Sequence, residues 1–133
     1  MKTLVVLVCA VFCGAALGCS PADGPITVDQ LPHVKVGRWQ VVATYSSIPP
    51  STSTQCSDGK LSFGAALLPS GCSQPSMKRV AGTYVYDISC PPSGALRSNV
   101  HSVAAGDFQS AYTIDTQDLF GNSHEVFKYI GPC

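Results

Sequence analysis

The sequence predicts an all-β fold: a small antiparallel β-sandwich or partly closed barrel of about seven short strands, held by two disulfides. Three observations predict it. Apolar and polar residues alternate with period two in several short stretches, the pattern of a sheet buried on one face. Twelve glycines and ten prolines break the 133 residues into brief elements joined by turns. Seven cysteines occur in a chain that opens as exported proteins open, where disulfides form and persist.

The opening comes first. Met1-Lys2 supplies a short positive start, and Thr3 to Leu17 carries no charge. This reads as a signal peptide over residues 1–18. It is shorter than the roughly 20 apolar residues of a membrane-spanning helix, and no second such run follows. Ala15-Ala16-Leu17-Gly18-Cys19 suits ordinary signal peptidase, with small residues at Ala16 and Gly18. It also resembles a bacterial lipobox, although Leu is commoner there than Ala16. Cys9 and Cys13 leave with the signal, and Cys19, Cys56, Cys72, Cys90 and Cys133 remain. An odd count gives one cysteine another use. Lipid on Cys19 leaves four for two bridges, so we expect a membrane anchor at Cys19. The alternative is an unlipidated chain whose Cys19 is exposed or pairs with another chain. Residues 19–31 then serve as anchor and tether, and residues 32–133 as the β domain.

Removing 18 of 133 residues leaves 115, enough for one domain with a modest core. Without Lys2 the chain has seven basic residues against eight acidic ones, sparse and scattered. It has no basic stripe to neutralise phosphates, which argues against nucleic acid.

Residues 36–46 form the clearest strand, with Trp39, Val41, Ala43 and Tyr45 on one face and Arg38, Gln40, Thr44 and Ser46 on the other. Ser46 to Ser51 punctuates it, because Pro49 and Pro50 cannot donate to a ladder. Thr52 to Ser57 is a short second strand. Asp58 to Ser70 suits a short helix or a packed loop equally, with Gly59 and Gly64 weakening the helix. Met77–Val80 and Thr83–Cys90 form a hairpin turned at Ala81-Gly82. Leu96–Val103 is a weaker strand, followed by a turn at Ala104-Ala105-Gly106-Asp107. Phe108 to Asp115 alternates next, Asp118 to Asn122 turns, and Glu125 to Ile130 returns.

With the hairpin turn centred on Ala81, residues whose numbers sum to 162 face each other. Cys72 then lies opposite Cys90, at a separation a disulfide tolerates, and Cys56 pairs with Cys133. The main rival joins Cys56 to Cys72 and Cys90 to Cys133, and the third pairing stays open.

Residues for chemistry are dispersed. His33, His101 and His124 lie on separate segments without metal-ligand spacing. Asp107, Asp115, Asp118 and Glu125 read as turn and strand-face residues, and there is no Gly-x-Ser-x-Gly elbow. The sequence therefore points to no catalytic, cofactor-binding or metal residue. The strongest rival is a carrier: Gly37-Arg38-Trp39 is similar to the Gly-x-Trp that opens lipocalin-like barrels. Trp39, Tyr45, Tyr84 and Tyr86 would line such a cavity.

Taken in order, the landmarks resemble those of a bacterial exported family, the domain-of-unknown-function 3617 family. They are Val36-Gly37-Arg38-Trp39-Gln40-Val41, Thr54-Gln55-Cys56, Cys72, the Gly82 turn, Ile88-Ser89-Cys90, Gly106-Asp107-Phe108 and the Gly131-Pro132-Cys133 ending. The match covers roughly residues 32–133. Gln40 stands where the family often has Glu, and Lys128 and Tyr129 stand where it often has paired arginines. The resemblance implies an envelope location and a disulfide-bonded β domain, and no activity. The resulting expectation is a non-enzymatic binding or structural module of the cell envelope, with an unnamed envelope partner.

Overall fold

Each stretch of clear period-two alternation folds as a strand. The computed structural model describes residues 22–63, 72, 75–89, 99–118 and 121–133. Within them lie β1 (Gly24–Pro25), a 3-10 turn (Val28–Gln30), β2 (Gly37–Tyr45), β3 (Ile48–Ser57), β4 (Ser76–Val80), β5 (Thr83–Ile88), β6 (Val100–Gly106), β7 (Ala111–Asp118) and β8 (Gly121–Gly131). All pairings are antiparallel, in the order β1-β4-β5-β6-β7-β8-β2-β3. The two ends of that order do not meet, so the sheet is open. The fold is all-β, with eight strands where about seven were expected. The additional one is β1, which pairs Gly24 with Arg79 and Pro25 with Lys78 inside the segment read as a tether.

Several boundaries differ, each for a local reason. β3 begins at Ile48 and takes in Pro49 and Pro50, which the sequence reading had treated as a break. Proline is tolerated there because β3 is an edge strand and both prolines fall at the register shift between Ala43 and Tyr45, where neither has a ladder partner. β6 runs on through Ala104 and Ala105 to Gly106, so the turn falls at Asp107–Ser110. Phe108, expected in the next strand, instead adopts φ +58° within that turn and points into the core at 4% exposure. Residues 58–63 are loop, and the remainder of the helix-or-loop segment lies outside the described residues.

The expected Cys56–Cys133 bridge is present, while the register from which Cys72–Cys90 was argued needs correction. The β4–β5 hairpin pairs Ser76 with Asp87 and Val80 with Thr83. Facing residues thus sum to 163, and the register is one residue off the expected value because the turn holds both Ala81 and Gly82. Among the described residues one bridge is placed, not two: Cys56–Cys133, with α-carbons 6.0 Å apart. This excludes both the Cys56–Cys72 rival and the third pairing. Cys72 is disulfide-bonded as well, but Cys90 lies outside the described residues, so the expected Cys72–Cys90 link is not described.

The core lies on one face of the sheet. Trp39, Val41, Ala104, Tyr112, Ile114 and Phe127 supply its strand residues, and Val34, Leu61 and Phe108 close over it from loops. Trp39 is fully buried and meets Tyr112 and Tyr129 edge-on at 5.1 and 5.5 Å. Tyr112 stacks on Phe127 at 4.3 Å. Such pairs contribute about 0.5–1.5 kcal/mol each beyond burial. The indole N–H is satisfied by Lys35 O at 2.9 Å. A smaller cluster of Tyr86 and Ile88 gathers Phe63, Cys72, Met77 and Val100.

Two glycines make this packing feasible. At Gly37, φ is +142°, and a Cβ would fall 2.6 Å from the Tyr129 ring. At Gly106, φ is +140°, and a Cβ would fall 2.5 Å from Tyr112 Cα. In the turn after Gly106, the Asp107 carboxylate accepts the backbone N–H groups of Gln109, Ser110 and Ala111 and the Ser110 hydroxyl.

Candidate functional site

The most unusual part of the molecule is the ribbon formed by β2 and β3. From Trp39 to Ser57 the chain contains no Asp, Glu, Lys or Arg. On β2, Trp39 and Val41 of that run reach the core. On β3 no residue does: residues 48–56 are all exposed, and only Ser57 is half-buried. Its central residues, Ser51-Thr52-Ser53-Thr54-Gln55, are small and polar on both faces, so neither face has anything to bury. β3 nevertheless keeps its register on β2, from Gly37 opposite Ser57 to Ala43 opposite Ser51. Its other side is the end of the sheet order.

Both ends of this ribbon are fastened. At the tip, Tyr45 faces Ile48 across the Ser46-Ser47 turn. Ser46 N and Oγ donate to Asn122 O at 3.1 and 2.9 Å, and Asn122 N donates to Ser46 Oγ at 2.9 Å. Tyr45 and Ile48 remain 41% and 56% exposed, a small apolar tip on a fixed mount. At the far end the Cys56–Cys133 bridge ties β3 to the residues that follow β8. Along Ser51 to Ser57 every second residue thus points its backbone N–H and C=O away from β2. An extended edge with no charge to repel another strand is a template for strand addition.

Three other clusters hold chemistry-bearing side chains. On the open face of the sheet, His124 Nδ1 lies 2.5 Å from Asp115 Oδ1 and His101 Nδ1 lies 2.5 Å from Asp87 Oδ1. Both are cross-strand neighbours, β8 with β7 and β6 with β5, and both pairs are well exposed. His33 joins neither. The sequence offered these residues on separate segments, and only the register brings each pair together.

On the core face, Glu125 stands in register between Ala43 and Ile114. Burial raises its carboxyl above the usual carboxylate value. Tyr112 is pushed up to about 12, first by burial and second by the Glu125 carboxylate. Ser102, fully buried, shares a 2.8 Å hydrogen bond with Thr116. Arg79 lays its guanidinium on the Tyr84 ring at 5.5 Å, with Nε and Nη1 buried and without hydrogen-bond partners. The ring face offsets part of that desolvation.

The third cluster is an open groove of about 400 Å³, lined by Val28, Leu31, Pro32 and Leu61 with Asp29, His33 and Lys60 at its polar positions. Among the described residues, the four aromatic residues proposed to line a cavity do not gather in one cluster. Trp39 belongs to the main core, Tyr86 to the smaller cluster, Tyr84 packs against Phe108, and Tyr45 is on the hairpin tip. Among the described residues no group of three or more His, Cys, Asp or Glu is placed to hold a metal ion. Nor is any helix among them long and apolar enough to cross a membrane. Cys19 lies outside the described residues.

Sequence reading missed β3 as a site because it searched for chemistry-bearing residues, and this strand has none. The signal was present as an absence: 19 residues, Trp39 to Ser57, without a charge, half of them without an apolar face either. Compared with family models, curated proteins and solved structures, the chain matches none.

Proposed function

We propose that this chain is a bacterial cell-envelope protein, a non-enzymatic binding or structural module exported by residues 1–18 and anchored through lipid on Cys19. The observation that carries the binding role is β3: a ten-residue strand, exposed and uncharged, fixed at both ends on a disulfide-bonded sheet. Nothing in the core depends on those side chains, so they are free to serve a partner. The Cys56–Cys133 bridge accords with an oxidising compartment. The resemblance of the Gly37-Arg38-Trp39 opening, Thr54-Gln55-Cys56 and Gly131-Pro132-Cys133 to the domain-of-unknown-function 3617 family supports an envelope location. The aromatic packing of Trp39, Tyr112 and Phe127 favours a filled core over a carrier's interior.

A second reading, a lipocalin-like carrier of a small apolar ligand, draws on the groove beside Leu31 and Leu61. Native mass spectrometry of the protein extracted gently from its own envelope separates the two. The module reading expects acyl chains on Cys19 and no small molecule. A small molecule lost on unfolding overturns it in favour of the carrier.

A further inference from the structure

We infer that the free edge of β3 pairs with the same edge of a second copy of this chain, giving one antiparallel sheet that runs through both molecules. This rests on reading β3 as a binding surface and adds the identity of its occupant. Three features of the strand select a copy of itself.

The first is self-complementarity. Two antiparallel copies of β3 meeting about Ser53 place Ser53 opposite Ser53, Thr52 opposite Thr54, and Ser51 opposite Gln55. Thr52-Ser53-Thr54 reads the same in both directions, so each threonine meets a threonine. Cross-strand pairs of this kind are favourable, through hydroxyl hydrogen bonds and β-branched packing.

The second is charge. Like charges directly opposite each other are the usual bar to self-pairing, and between Trp39 and Ser57 there are none. Edge strands are commonly blunted by lysine, by bulges or by proline. Here Pro49 and Pro50 do so at one end, and about a Ser53 centre they limit the pairing to Ser51–Gln55 without preventing it. All of Ser51 to Cys56 is exposed, so no other described part of the chain occupies the place.

The third is size. A strand pair five residues long buries well under the roughly 1,600 Å² of a standard stable interface. The dimer is accordingly weak, with a dissociation constant on the order of 10 µM to 1 mM. Isologous pairing closes on itself, so association stops at two copies.

The test is sedimentation of the purified, oxidised chain across that concentration range, with hydrogen exchange of the β3 amides read on the same samples. A monomer–dimer equilibrium with β3 protection that grows with concentration is expected. Ser53→Lys places two ammonium groups opposite each other at the centre of the pairing and weakens the dimer at least tenfold. Gln117→Lys adds the same charge on exposed β7 and leaves dimerisation unchanged. Circular dichroism and melting confirm that both variants stay folded.

A monomer throughout the range overturns the inference, and so does a dimer that Ser53→Lys leaves intact or that protects amides elsewhere. Either result is separate from the envelope measurement, because this test uses no membrane and does not depend on Cys19.

Discussion

The β6–β7 and β2–β3 hairpins belong to one sheet and bury their residues in opposite ways. In β6–β7 both arms feed the core: Ala104, Tyr112 and Ile114 are buried, Phe108 closes over them, and Asp107 satisfies the turn. In β2–β3 one arm carries Trp39 and Val41 inward while the other buries nothing. The difference teaches where stability and function separate. A strand can be held by backbone pairing and a covalent staple alone, leaving its side chains uncommitted, provided its neighbour is anchored by an aromatic core.

The largest break in that comparison is at its shared anchor. Trp39→Ala removes the ring that joins β2 to Tyr112 and Tyr129. A loss of about 3–5 kcal/mol is expected, read from the denaturant midpoint. Against a total of about 5–15 kcal/mol for a small domain, this threatens the whole fold.

Next comes the staple. Replacing Cys56 and Cys133 by serine removes a link spanning 77 residues. About 2–4 kcal/mol is expected to go. Hydrogen exchange should rise in β3 far more than in β6 and β7, since β3 has no burial of its own. Equal loosening of both hairpins would contradict the division drawn here.

The β6–β7 turn supplies a pH test. Its hydrogen bonds, led by the Ser110 hydroxyl and followed by the N–H groups of Ala111, Ser110 and Gln109, hold the Asp107 carboxyl well below the usual carboxylate range. A depressed folded value means this contribution is fully present above the ordinary value of about 4 and is lost as pH falls through the folded one. Asp107→Ala should therefore flatten the acid limb of the melting curve while leaving β3 exchange unchanged.

The smallest effect comes from Glu125, which burial makes harder to ionise. A raised folded value has the opposite sign: the contribution is present below about pH 4 and is lost as pH climbs through the folded value. Glu125→Gln should slightly raise the melting temperature at neutral pH, with no gain in acid. It should also lower the late phenol titration of Tyr112 from about 12, followed by ultraviolet absorbance.

Much of the sheet was legible in the sequence because β2 and β7 have one core face each, and alternation reports that directly. β3 was legible only in part, since a strand with two polar faces has no alternation to read. Phe108 was misplaced because its aromatic ring fits a strand pattern, whereas its position after Gly106 and Asp107 makes it a left-handed turn residue aimed inward. A half-residue shift of the turn centre at Ala81-Gly82 moved an entire register by one residue. The His124–Asp115 and His101–Asp87 pairs required strand order as well, which no local pattern specifies.

The position of β2 in the sheet has a consequence for the order of assembly. Trp39 faces Tyr129, and Val41 faces Phe127. The first long strand to be synthesised thus has its core neighbour in the last one. Until β8 is in place, Trp39 has Tyr112 of β7 but lacks Tyr129 and the strand that joins β2 to the rest of the sheet, while β4 to β7 can already pair in succession. Contacts this distant in sequence are slow to form. Closure of the sheet across β2 and β8, which completes the surroundings of Trp39, is therefore expected to come late in folding.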